Sequence, residues 1–306
     1  MKLILAKFWY LVKTTFLEFI KDNAIKLSAS LSYYTIFSIP PLLIILISAM
    51  GLIFGAAAVK GELFGQLNGL VGSDTALGIQ KMIASIKLSD DSIFATVIGA
   101  IVLLVGASGV FSEIQSSINY IWGIEAKPKR GLVKFLKNRL MSFSMIGSVG
   151  FLFTVGLITN TVMEIISKGL ANRFPEVTLY LFHVINLLIV FLITVLLFTL
   201  VFKTLPDGKV STKDGVIGAF FTTLLFMLGK FLIAAYLSNS HIVSIYGAAG
   251  SVIIILLWVY YSAIILYFGA EFTKVYAHTH GEKIIPNAYS VKIRETCSDP
   301  MPPYPQ

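Results

Sequence analysis

Charged side chains are scarce in this sequence, 13% of 306 residues, while 56% are hydrophobic; an ordinary soluble protein carries about 25% charged residues. The scarcity is local. From Leu27 to Val59, 33 consecutive residues include no Asp, Glu, Lys or Arg. A water-soluble domain cannot hide several helices that are apolar on every side, whereas a bilayer needs ~20 such residues per crossing. The deficit excludes a soluble globular chain and identifies an integral membrane protein.

Cysteine is nearly absent too. Cys297 stands alone, which excludes an intrachain disulfide. No G-x-x-x-x-G-K-[ST] loop, zinc-ligand spacing or G-x-S-x-G elbow occurs. His278 and His280, flanking Thr279, form the local His pair, with no acidic cluster in the same aqueous segment. Enzyme chemistry therefore has no candidate site, and no catalytic residue, metal or cofactor is expected. Lys2, Lys7, Lys13, Lys21 and Lys26 are scattered through the apolar start, unlike the unbroken core of a cleavable signal, so no cleavage is expected.

Six transmembrane helices are predicted, at about 28–56, 92–118, 141–165, 178–202, 215–237 and 249–276. The segments between them alternate in basic content. Segments 1–27, 119–140, 203–214 and 277–306 hold five, six, three and three Lys or Arg; 57–91, 166–177 and 238–248 hold three, two and none. Basic residues stay on the cytoplasmic side, so both termini are expected in the cytoplasm of a bacterial inner membrane. The net charge of +8 then orients the chain and meets anionic lipid; it does not form a nucleic-acid-binding face.

The fold class expected is all-α, a polytopic six-helix bundle spanning 28–277. Residues 1–27 read as an amphipathic helix in the cytoplasmic interface, with Trp9 and Tyr10 at headgroup depth, or as a helix capping the bundle from below. In the long first outer loop, Leu63, Phe64, Leu67, Leu70 and Val71, then Ile79, Met82, Ile83 and Ile86, trace two short amphipathic helices. The tail 278–306 is cytoplasmic, and from about Lys283 onward it reads as disordered.

Ionisable residues inside a span are functional candidates because the bilayer penalises them. Glu113 and Glu271 each lie five residues from the cytoplasmic end of their spans, roughly 8 Å deep at 1.5 Å per residue. Lys230 lies seven residues from the outer end of the fifth, near the expected depth of Asn160, His183 and Asn186. This pattern gives a polar outer cluster and an acidic inner pair at matching depth. The structural alternative has Lys230 snorkelling outward and both carboxylates hydrogen-bonding helix ends. Pro40 and Pro41 in mid-span require a kink or an opening, which lines substrate paths in transporters and is also a common packing device.

The blocks AIKLSASLSYYTIFSIPPLLIILISAMGLIFG (24–55), GASGVFSEIQSSINYIWGI (106–124) and YGAAGSVIIILLWVYYSAIILYFGAEFTKVYA (246–277) resemble the YihY/BrkB family of bacterial inner-membrane proteins over about residues 1–280. The resemblance implies six helices with cytoplasmic termini and no defined chemistry. A "ribonuclease BN" label attached to such proteins conflicts with the absence of a water-exposed catalytic set and of a groove for a nucleic-acid backbone. The reading is a transporter- or permease-like protein for a small solute or lipid, with Glu113, Glu271, Lys230, His183, Asn186, Pro40 and Pro41 forming or gating the path. The alternatives are a scaffold organising the envelope and, last, a membrane-bound lipid-modifying enzyme.

Overall fold

The computed structural model describes residues 2–38, 77, 109–126, 175–238, 250–288 and 290–293. Helix α1 is Lys2–Lys21. It ends where Asn23 takes a left-handed φ of 52°, a conformation Asn tolerates at a helix end. Asp22 N–H donates to the Glu18 carbonyl at 2.8 Å, and Lys26 N–H to that of Asn23 at 2.9 Å. Helix α2 therefore starts at residue 24 and is described to 38. The segment expected as one interfacial helix to residue 27 is thus broken at Asp22–Asn23.

Helix α3 covers 109–121 and stops at Gly123, whose φ is 66°. Strand β1, Ile124–Ala126, follows. Helix α4, Pro175–Thr204, opens on a proline, which has no N–H to leave unpaired in the first turn. It closes just ahead of Pro206, which disfavours helix in the residue before it. Strand β2 is Gly208–Lys209. Helix α5, Thr212–Ser238, is capped by Ser211 and carries Asp214 in its first turn, both favourable at a helix N-terminus. Helix α6 is Gly250–His280.

Among the described residues, three helical segments are long and apolar enough to cross a membrane: Val184–Thr204, Thr212–Ile233 and Val252–His280. They fall on the fourth, fifth and sixth expected spans. Leu187, Leu188, Leu192, Leu196, Leu228, Phe231 and Leu232 are exposed along α4 and α5, as a lipid-facing surface allows. The first three spans lie largely outside the described residues, as do the outer-loop helices apart from residue 77.

Helix α5 packs on both α4 and α6, and α1 packs across α6. The α5–α6 seam is reciprocal. Gly218 faces Thr273, and Gly269 faces Thr222; a Cβ on either glycine would overlap the facing threonine side chain. Both pairs lie in near-identical strings, GAFFT at 218–222 and GAEFT at 269–273, set antiparallel. The fourth residues of the two strings, Phe221 and Phe272, stack with ring centroids 3.8 Å apart. Thr222 and Thr273 each return their hydroxyl to the glycine carbonyl four residues back, at 2.7 Å. Both threonine hydroxyls are thereby satisfied within their own helices, as small-residue helix contacts require.

The tail corrects an expectation. Residues from about Lys283 were read as disordered, yet Ile285–Pro286 (β3) pairs with β2 and Ser290–Lys292 (β4) pairs with β1, both antiparallel. The prolines that suggested disorder lie among the last residues, beyond 293, outside the described part. The segment before them closes two edges the α3 and α4–α5 turns leave open, which supplies the backbone partners it cannot find within itself. Among the described residues, two small sheets thereby join the helices at the end that bears α1 and the tail.

Candidate functional site

That end, the base of the bundle, holds an ionic cluster. On α1 the side chains of Leu11, Thr15 and Phe19 are buried, with Leu11 against Phe272 and Val275 and Phe19 edge-on to Phe268 at 5.5 Å. These contacts favour the capping reading of the N-terminal helix. Its outward face keeps Trp9, Phe16, Leu17 and Ile20 exposed. The spacing that buries Phe19 brings Glu18 and Asp22 over α6.

There they meet Lys274, 1% exposed. Its ammonium donates to Asp22 Oδ2 at 3.0 Å and to the Ile121 carbonyl at 3.0 Å. It also touches Glu271 Oε1 and lies 3.7 Å from Glu18 Oε2. Glu271 is fully buried, and neither of its oxygens completes a hydrogen bond of normal geometry. Glu18, Asp22 and Glu271 bring one oxygen each within 4.8 Å of the others. The ammonium of Lys274 occupies the place a bound cation would take. One side chain thus ties α1, α3 and α6 together, and Trp122 adds a bond from Nε1 to the Ala270 carbonyl at 3.1 Å.

A buried polar line continues upward from Glu271. Tyr267 lies one turn above on the same face of α6 and faces Ser117 of α3. Neither hydroxyl has a hydrogen-bond partner of good geometry among the described residues. Glu113, half-buried, lies one turn above Ser117. Ser117 beside Tyr267 sets the register, so Glu113 sits four residues above that level and Glu271 four below. At 1.5 Å per residue the offset is roughly 12 Å. This corrects the expected matching depth: counting from span ends missed that α6 runs deeper into the base than α3.

Beside the polar line, Asp207 of the α4–α5 turn fastens helix α3 and the tail. Gln115 Nε2 and Asn119 Nδ2 donate to its carboxylate at 3.1 and 3.0 Å, and its own N–H donates to Asn119 Oδ1 at 2.7 Å. Its carbonyl accepts from Ser290 Oγ at 2.7 Å and Asn287 N–H at 2.9 Å. Asp214 similarly accepts from Glu282 N–H at 3.1 Å. Among the described residues the base is a cross-linked layer.

The other expected site residues are not gathered here. Lys230 is half-buried, its ammonium 5.2 Å from the centroid of the neighbouring Phe231 ring. Asn186 is exposed on α4, and His183 is described as helical backbone only. Pro40 and Pro41 lie outside the described residues. His278 is half-buried, and His280 stacks on Tyr276 at 5.5 Å. Sequence reasoning missed Asp22, Lys274, Asp207 and Asn119 as a group. The available signal was the pairing of Glu18 with Asp22, four apart, and of Glu271 with Lys274, three apart, each on one helix face.

A family model described as Virulence factor BrkB matches residues 15–292, from α1 through β4. The chain belongs to the BrkB family. Among relatives, a "UPF0761 membrane protein" of Saccharophagus degradans is 27% identical over 270 residues, covering 86% of this chain and 59% of the relative. One of Pseudomonas aeruginosa is 27% identical over 258 residues, covering 83% and 59%. One of Aggregatibacter aphrophilus is 26% identical over 283 residues, covering 90% and 96%. The chain thus spans about three fifths of the first relatives' length. No solved structure matches it. This BrkB-family chain is a membrane protein, and its relatives' names state no substrate or reaction.

Proposed function

We propose that this BrkB-family protein is a transporter- or permease-type protein of the bacterial inner membrane, with cytoplasmic termini, moving a small solute or lipid. The observation that carries the reading is the Glu271–Lys274 pair, buried on a helix long and apolar enough to cross a membrane. Intramembrane ionisable residues that face the bundle interior mark ion and substrate paths. The polar line through Tyr267 and Ser117 toward Glu113 runs from that pair into the bundle, and the cross-linked base would act as its inner gate. Membrane lipids are the surroundings, and the reading assigns neither catalysis nor nucleic-acid binding. Flux of candidate solutes and labelled lipids into proteoliposomes tests it. Transport should be lost in E113Q and E271Q while both variants insert and accumulate normally; unimpaired flux in the double variant removes the acidic pair from the path.

A second reading, a membrane scaffold without a pathway, is favoured by the close α5–α6 packing at Gly218, Gly269 and Gly229, the last against Tyr261. Rescue of a deletion strain by E113Q/E271Q, with no flux by any variant, would select it.

A further inference from the structure

Helix α1 has three unlike faces. At about 100° per residue, Leu11, Thr15 and Phe19 share one line, and all three are buried against the bundle. Trp9, Phe16 and Ile20 share a second line, about 120° round the helix; all are exposed, Trp9 to 69%. Lys7, Thr14 and Lys21 share the third, about 140° further on. Two ring contacts fix how the helix lies. Phe8 meets Phe221 of α5 at 6.5 Å, and Phe19 meets Phe268 of α6 at 5.5 Å. Phe221 stacks on Phe272, so both contacts fall between residues 268 and 272 of α6, about 6 Å of rise. Along α1 the stretch from Phe8 to Phe19 measures about 16 Å. The helix therefore runs across the bundle, closer to the membrane plane than to the bundle axis. Residues 268–272 lie about 6–12 Å inside the expected end of the sixth span at 276. An interfacial amphipathic helix sits about 5–10 Å into the boundary between headgroups and acyl chains.

We propose that the outward face of α1 is a binding surface for anionic phospholipid of the adjoining leaflet. Trp9, Phe16 and Ile20, bordered by Leu17, enter the acyl boundary. Lys13, exposed within that stripe, lays its stem along the rings and puts its ammonium at the headgroup phosphates. Two observations name lipid as the occupant. The first is continuity. Phe8 abuts Phe221, and Leu224 and Leu228 stand exposed one and two turns above Phe221 on α5, a helix long and apolar enough to cross a membrane. The second is charge. Glu18 and Asp22 turn inward to Lys274, and the charged residue on the stripe is Lys13. A lysine at an anionic surface gives about a fivefold preference for it. The assignment does not depend on the permease reading, since a transporter and a scaffold would carry the same face.

Trp9 serves as the probe. The full chain is placed in nanodiscs of phosphatidylcholine with a minority of phosphatidylglycerol, one lipid or the other brominated near the top of its acyl chains. The emission that wild type shows and W9F lacks belongs to Trp9. Both substitutions used, W9F and K13Q, fall on exposed side chains and leave the buried line of α1 intact. Brominated lipid should quench the Trp9 emission, and acrylamide in the water should not. Per molecule, brominated phosphatidylglycerol should quench about fivefold more than brominated phosphatidylcholine, and K13Q should bring the two level. Quenching by acrylamide in place of lipid puts the stripe in water and overturns the proposal. Protection from both quenchers means that protein covers the stripe, a second copy or another segment of this chain, and overturns it as well. Equal quenching by the two lipids in wild type removes the anionic preference, and a preference that survives K13Q removes Lys13 from it; either result overturns the site as assigned.

Discussion

Lys274 shows how much one side chain decides at the base. Its ammonium bonds to α1 through Asp22, to α3 through the Ile121 carbonyl and to its own helix through Glu271. Removing one partner of a buried ion pair strands the other, at about 3–5 kcal/mol. K274M should therefore lower the thermal unfolding temperature in detergent sharply, and D22N/K274M should recover much of the loss. Equal unfolding temperatures for K274M and wild type would show that the cluster holds nothing together. The sequence displayed Glu271 as a carboxylate in a span and gave Lys274 no role. Asp22 carried no signal of its own. Which residue pairs with which depends on how α1 crosses α6, and no local pattern encodes that crossing.

The helices themselves were legible because apolar length and composition suffice for them, and the reciprocal seam was not. GAFFT and GAEFT stand 51 positions apart in the chain and become complementary only when α5 and α6 run antiparallel in one register. The two strings differ at their third residue. Phe220 is exposed on α5, beside Phe191 of α4 at 5.3 Å, whereas Glu271 is buried on α6. Adding a methyl at the seam forces the helices apart, and overpacking of this kind costs about 1–3 kcal/mol. G218A and G269A should each lower abundance and unfolding temperature, and T222A should recover part of the G269A loss. Full stability of both alanine variants would mean that the seam is loose. The tail strands belong to this scale too. A chain ended after Lys283 loses β3, β4 and the Ser290 and Asn287 bonds to Asp207. It should show faster amide exchange at 119–125 and 205–210; unchanged exchange there would make the strands ornamental.

For the whole molecule, the distribution of basic residues predicts the topology. Reporter fusions after residues 130 and 208 should mark the cytoplasm, and fusions near 70, 171 and 243 the outside. Opposite reporting at two or more sites would overturn the six-span arrangement. The described base fits one side of that scheme: α1, the ends of α3, α4 and α6, the start of α5 and the tail all meet there.

Composition alone made this chain a membrane protein, since a bilayer selects for apolar length and that quantity is additive along a sequence. The blocks around residues 24–55, 106–124 and 246–277 likewise carried its family. Tertiary structure alone decided that Glu271 faces Lys274 and Asp22 while Glu113 stands about two turns higher, one turn above Ser117. It also decided that a tail read as loose closes the base. The reason is that burial and pairing of charge depend on distances between segments far apart in sequence, and helix crossing sets those distances.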